Sequence, residues 1–286
     1  MIRTRGLGLV LLAPALAALA VVTAYPAFSV IALSLERRVP VFQIETFVGL
    51  ANYRFLLGDP AFWSAVRVTA LFTVVSVLLE VVTGVALALA VNGQRRWRAA
   101  AVGLLLLPWC VPGVVAARAF EWLLHPTSGL VNALLGGRAI NWLGEPGLAL
   151  GSVVVADAWR TMPFVALIAL ARLAAIPVSV HEAAAVDGAG RIAAFRTITL
   201  PLLVPVLLVA ALFRTLDALR VFDLPFVLTG GGPASTTETL TLYAYRSLFQ
   251  TLQLGFGAAV ATVVFALVIA TAWLYSVVLE REERRR

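Results

Sequence analysis

Residues Pro177 to Pro205 read PVSVHEAAAVDGAGRIAAFRTITLPLLVP, one of the few polar interruptions in a very apolar chain. Pro177 stops whatever helix precedes it. Ser179 stands three residues before Glu182, the spacing of a capping box, which predicts a helix start there. Glu182 to Val186 is short and alanine-rich, a strong helix former. Asp187-Gly188 predicts a break, because glycine supplies backbone freedom that other residues lack. Arg191 to Arg196 has room for another turn or two. Thr199 is the expected N-cap of the next helix, with Leu200 and Pro201 in its first turn. The segment is therefore expected as a short helix, a bend and a second short piece, held between two long apolar helices. Local signals alone leave two readings open, an ordinary helical cytoplasmic loop or a specialised one.

Outward from this stretch, the 286 residues are 61% hydrophobic and only 13% charged, with a mean hydropathy of +0.96. That composition excludes a soluble domain. Several runs reach the roughly 20 apolar residues needed to cross a bilayer, and backbone groups in lipid must be satisfied internally, so helical spans are expected. The formal charge of +7 does not point to nucleic acid. The basic residues, all arginine, lie in short inter-helix segments and at the ends, as the positive-inside rule expects. Cys110 is the only cysteine, so no intramolecular disulfide is possible, and within its apolar run it reads as packing. His125 and His181 have no ligand-spaced partners, which argues against a metal site. No Gly-rich loop is followed by Lys, so P-loop nucleotide binding is excluded.

Six spans are predicted, about 7–35, 66–91, 99–124, 148–175, 200–221 and 254–279, in one transmembrane domain over 1–286. Arg3 and Arg5 place the start of the first span inside. Its length exceeds the roughly 7–15-residue apolar core of a secretion signal, so it is read as a retained span. Residues 36–63 are expected outside, with VGLANYRFLL (48–57) along the membrane surface. Glu80 lies within span two. An intramembrane carboxylate should face protein, either as partner of an arginine or as part of a pathway. NGQRRWR (92–98) is a short basic inside loop. In span three, Pro108 and Pro112 bracket Trp109 and Cys110 and predict a kink or unwinding at membrane depth, either harmless or lining a cavity. In span four, Asp157 and Arg160 are three apart on one helical face, followed by Thr161 and Pro163. They form either a functional pair or one that neutralises itself at the outer surface. In span five, Arg214, Asp217 and Arg220 recur at three-residue spacing and share a face. Residues 224–252, with Gly230-Gly231-Gly232-Pro233, are expected outside, and the charged tail from Glu280 inside.

The decisive stretch also carries a family pattern. Glu182-Ala183-Ala184, three residues, Gly188, nine residues, then Ile198-x-Leu200-Pro201 resembles the EAA loop of bacterial ABC importer permeases, with Asp187 and Pro205 matching too. Resemblance to carbohydrate importers extends over nearly the whole chain, through the ANY segment, LLPWCVPG, DAWRTMPF, FRTLDALRVFDLPFVLTGGGP, TLYAYRSLF and GFGAAVATVVFALVI. The string FRTLDALRVFD looks most like importers of trehalose and maltose.

The resemblance implies an all-α integral membrane protein with about six transmembrane helices and a cytoplasmic coupling helix, the type I ABC importer permease fold, in the bacterial inner membrane with both termini cytoplasmic. It implies a second homologous permease, two ATPase subunits and an extracytoplasmic sugar-binding protein as partners. ATP and Mg would sit on the ATPases, with no cofactor and no catalysis on this chain. Glu182, Ala183, Ala184, Asp187, Gly188, Ala189, Arg191 and Phe195 would then be the ATPase-coupling residues. Carried over by motif, Trp109, Gly113, Asp157, Arg160, Thr161, Arg214 and Asp217 would line the sugar pathway. A sugar needs an aromatic face and groups that donate and accept several hydrogen bonds. This chain has Arg and Asp where amides and small hydroxyls are expected, which leaves the particular sugar open. The competing reading is a secondary transporter driven by an ion gradient, with Glu80, Asp157 and Asp217 as ion-linked carboxylates. An integral-membrane enzyme lacks any clustered nucleophile and base.

Overall fold

The computed structural model describes residues 2–94 and 96–284, with side chains described from residue 11 onward except those of 282 and 283. The side chains of Arg3 and Arg5, and Arg95, Arg285 and Arg286 with them, lie outside that description. Among the described residues, five helices are long and apolar enough to cross a membrane, and six spans result when one sharply bent pair is taken as a single span. The chain divides into two compact units, Met1–Trp63 with Tyr243–Ala266 and Ser64–Leu242 with Leu267–Arg286.

In the first unit, α1 (Ile2–Leu19) passes through a π-turn, Ala20–Ala24, into α2 (Tyr25–Ser34). Pro26 explains the wider turn, because its missing N–H cannot reach the carbonyl four residues back. A short antiparallel hairpin follows, β1 (Glu36–Val39) and β2 (Ile44–Phe47), with Glu36 opposite Phe47. Then comes α3 (Ala51–Gly58). Asn52 fastens α3 to the end of α2, its amide nitrogen donating to the Ser34 and Glu36 carbonyls at 2.7 and 2.8 Å. These carbonyls fall where the helix can no longer supply partners. Tyr53 adds a 2.6 Å bond to Ser34.

Helix α4 (Pro60–Asn92) begins six residues before the expected span. It leads to α5 (Arg98–Cys110) and α6 (Gly113–Leu123), which meet at 93°. The break sits at Val111, in extended conformation, and Pro112. Proline lacks the helical N–H and pushes its predecessor out of the helical region. The bend leaves Cys110 exposed rather than packed. After α7 (Leu130–Leu134) comes α8 (Pro146–Ala174), whose buried face carries Ala149, Ala156, Ala158, Ala166 and Ala169. Small residues let neighbouring helices approach closely. Two apolar clusters hold the second unit together. One joins Val85 and Ala88 of α4, Val165 and Ala169 of α8, and Leu203 and Leu207. The other joins Phe72, Ala117, Val153, Ala218 and Leu224.

The central polar stretch departs from its local signals. Helix α9 (Val178–Val186) is capped at Pro177, with no side-chain cap bond from Ser179. Pro177 pre-sets the backbone, so the helix begins two residues too early for the capping box to form. Its end is a Schellman closure: Ala189 N–H to the Ala184 carbonyl at 2.9 Å and Gly188 N–H to the Ala185 carbonyl at 3.1 Å, with Gly188 at φ +80°. That left-handed position favours glycine. Nor does a new helix start at Thr199. Helix α10 (Arg191–Ala194), a second π-turn Phe195–Thr199 and α11 (Leu200–Ala218) form one 28-residue rod, Arg191–Ala218. Thr199 is helical and buried. The π-turn stands two residues before Pro201, as the first stands before Pro26, and it absorbs the proline that was expected to begin a helix.

The segment after α11 is structured rather than a plain loop. Helix α12 (Asp223–Leu228) folds back with Leu224 and Leu228 buried, and Thr69 accepts the Leu240 N–H at 2.9 Å. Helices α13 (Leu240–Tyr245) and α14 (Leu254–Arg284) complete the chain.

Candidate functional site

A cavity of about 540 Å³ opens where the bend between α5 and α6 faces α8, α11 and α12, lined by Trp109, Asp157, Arg160, Thr161, Arg214, Asp217, Ala218, Arg220, Val221, Phe222 and Asp223. Its size falls in the roughly 300–1,000 Å³ range of small-molecule clefts. An apolar cleft of about 600 Å³ beside Trp122 and His125 brings no charged groups together.

Each wall is set by local chemistry. The proline break ends α5 one residue after Trp109, which is half exposed and faces Phe164 of α8 at 6.2 Å between ring centroids. One helical turn of α8 presents Asp157, Arg160 and Thr161. Asp157 is buried and accepts from Arg160 at 3.2 Å. Thr161 spends its proton on the Asp157 carbonyl at 2.6 Å, so only its lone pairs face the cavity. From α11, Arg214 reaches into the core. Its Nε and Nη2 grip both Glu80 carboxylate oxygens at 2.5 and 3.0 Å, Nη2 also meets Asp157 at 3.2 Å, and Nη1 meets Asp217 at 3.3 Å. Ser76 Oγ lies 2.8 Å from Glu80 and 3.0 Å from Asp157. Asp217 also accepts from Arg220 at 2.9 Å.

The charges close on one another. Glu80, Asp157 and Asp217 face Arg160, Arg214 and Arg220, and each of these arginines touches at least one of the three carboxylates. Burial of charge is tolerable only with such pairing and hydrogen bonding. Of the two openings left for Glu80, partner of an arginine or pathway group, the geometry gives the first, with Arg214 on a helix 134 residues away in sequence. Asp157 is not a surface pair with Arg160 alone, since it is 1% exposed and shared with Arg214.

Six of the seven expected pathway residues line this one cavity. The seventh, Gly113, opens α6 beside it, and a Cβ there would overlap the Asp223 carboxylate. Ser76, Phe222 and Asp223 escaped the sequence reading. Asp223 extends the three-residue series of Arg214, Asp217 and Arg220, a signal in plain view, but the chain leaves its helix after Ala218, where spacing no longer predicts a shared face.

The expected coupling residues form a second group. Glu182, Ala183, Asp187, Gly188 and Arg191 are exposed, Ala184 is buried, and Ala189 and Phe195 are half buried. Val180 and Phe195 pack against the core, and Arg172 Nε donates to the Leu202 carbonyl at 3.1 Å, tying α8 to α11. Val178, Val186 and Ile192 are 63%, 87% and 72% exposed. Beside Glu182, Asp187 and Arg191 they make a mixed apolar and charged surface of the kind that marks protein contacts.

Comparison with known proteins agrees with this architecture. Residues 80–284 match the family model described as binding-protein-dependent transport system inner membrane component. The chain is 40% identical over 276 residues to the trehalose/maltose transport system permease protein MalF of Thermococcus litoralis, covering 96% of this chain and 93% of that one. It is 38% identical over 279 residues to the sulfoquinovosyl glycerol transport system permease protein SmoG of Agrobacterium fabrum, covering 95% and 89%. In fold it superposes, at a TM-score of 0.83 and 22% identity, on a chain from the crystal structure of a bacterial ABC transporter involved in the import of the acidic polysaccharide alginate, covering 98% of this chain and 97% of that one. The chain belongs to the binding-protein-dependent transport system inner membrane components, as an ABC sugar importer permease with the type I fold.

Proposed function

We propose that this chain forms half of the translocation pathway of an ATP-driven importer for a di- or oligosaccharide, trehalose or maltose first. A second homologous permease completes the path, two ATPase subunits dock on α9, and an extracytoplasmic sugar-binding protein delivers the cargo. Both termini lie in the cytoplasm of a bacterial cell, and ATP and Mg stay on the ATPase subunits. The observation that carries the reading is the cavity at the broken helix, where an aromatic ring and paired charges converge. The name of the Thermococcus litoralis relative supports the choice of sugar.

The helix geometry suggests how motion travels. Arg191 stands at the exposed start of a rod that runs without interruption to Ala218. At 1.5 Å per residue, about 35 Å separate Arg191 from Arg214. A push on Glu182, Asp187 or Arg191 would therefore arrive at the cavity as movement of a rigid element. Because Arg214 is bonded to Glu80 of α4 and Asp157 of α8, the three helices would move together. The ion-driven alternative is disfavoured by the same bonds, since Glu80, Asp157 and Asp217 are all held by arginine.

The test is reconstitution. Proteoliposomes holding this chain with its partner permease, ATPases and binding protein should accumulate labelled trehalose or maltose only with ATP inside the cytoplasmic face. The chain alone should move neither sugar. Accumulation by the lone chain under a proton or sodium gradient would overturn the proposal.

A further inference from the structure

We infer that Asp223 contacts the substrate and sets its charge class, so that the cavity takes an uncharged polyhydroxyl sugar and rejects one bearing a phosphate or sulfonate. The inference rests on the importer reading and deepens it. Around the cavity, Arg160, Arg214 and Arg220 are each engaged by Glu80, Asp157 or Asp217, and those six charges cancel. Asp223 is a seventh. It lines the same cavity, half buried, and among the described residues no ion pair or hydrogen bond engages its carboxylate. The lining itself is balanced, Asp157, Asp217 and Asp223 against Arg160, Arg214 and Arg220, but buried Glu80 behind it occupies Arg214, so the cluster as a whole carries one excess negative charge and Asp223 is the member whose acceptor sites remain open.

Its position is enforced by backbone. Gly113 stands at the start of α6, and any Cβ there would collide with the Asp223 carboxylate. A glycine at the bend thus lets a carboxylate lie directly against the mouth of the broken helix. A carboxylate is acceptor-only, and it binds well the paired hydroxyls that a sugar edge offers. Arg160 contributes the complementary need, since its Nε is buried without a partner. A sugar supplies donors and acceptors together, and half-exposed Trp109 supplies the apolar face. An anionic cargo meets the opposite balance. It would face Asp223 uncompensated, and to recruit Arg214 it would have to separate that guanidinium from buried carboxylates.

The test uses the complete transporter complex in lipid nanodiscs without the binding protein, so that only the pathway discriminates. Labelled trehalose is bound at equilibrium and displaced by unlabelled trehalose or by trehalose 6-phosphate. The phosphate ester should compete more weakly by roughly tenfold or more, the penalty of one unbalanced like charge in a partly desolvated site. Asp223→Asn should bring the two competitors within about threefold of each other, and Asp223→Glu should retain discrimination. Equal competition in the unmodified complex, or unchanged discrimination in Asp223→Asn, would overturn the inference. The two readings fail differently: absence of ATP-dependent sugar uptake removes the importer itself, whereas uptake with equal competition removes only the role of Asp223.

Discussion

Replacing Arg214 with methionine tests the structural centre of this protein. The guanidinium is 7% exposed as a side chain, and it is the shared cation of Glu80, 0% exposed, and Asp157, 2% exposed. Without it, those two carboxylates are left with the single Ser76 hydroxyl proton and the distal Arg160 contact. Breaking a buried ion pair by removing one partner costs about 3–5 kcal/mol, because the other charge stays buried. That corresponds to roughly a 200- to 5,000-fold loss in the folding equilibrium at about 1.4 kcal/mol per decade. Arg214→Lys keeps the charge but not the fork that grips both Glu80 oxygens, so it should lose about half as much. Glu80→Gln combined with Arg214→Met should be less damaging than the two single changes added, by about 2–3 kcal/mol of coupling. The assay is unfolding by SDS titration in mixed micelles, followed by tryptophan fluorescence, across the complete double-mutant cycle. Additivity within about 0.5 kcal/mol would refute the pairing, as would an Arg214→Met variant as stable as the parent.

Two further substitutions probe the rest of the path. At Gly188, φ is +80° and no heavy atom lies within 4 Å of a built Cβ, so the cost of a side chain is conformational, about 1–2 kcal/mol; ATP-dependent uptake at equal membrane expression should fall sharply for Gly188→Val and less for Gly188→Asn, which tolerates the left-handed region, and equal activity of the two would contradict this. At Gly84, a Cβ would come within 2.8 Å of Val165 Cβ and 3.1 Å of the Ala166 nitrogen; Gly84→Ala should destabilise by about 1–3 kcal/mol and Gly84→Leu by more, and an unfolding midpoint for Gly84→Leu matching the parent would rule out that close packing of α4 on α8.

Much of this was readable from composition and spacing. Apolar runs of bilayer length fix the spans because lipid leaves the backbone no alternative to helices. Pro112 announces the break after Cys110, since a missing N–H acts within one turn. The pairs Asp157–Arg160 and Arg214–Asp217 follow from three-residue spacing on a helix. The glycine at 188 marks a left-handed helix end.

Other features depend on what lies across the bundle. Thr199 and Pro201 carry the marks of a helix start, yet the rod passes through them because packing holds the chain helical and a π-turn absorbs the proline. That Glu80 finds Arg214, and Ser76 finds Asp157, joins residues 134 and 81 apart, and no local pattern encodes which faces of three apolar helices meet. Asp223 stands between the fifth expected span and the stretch expected outside, and it reaches the cavity only because α12 folds back against α6. Membrane crossing and the break at Pro112 are decided by forces acting within a few residues, so the chain's order alone determines them, whereas the passage of the rod through Thr199 and Pro201 is not. The charge balance of the cavity is a sum over helices distant in sequence, and only their packing decides it.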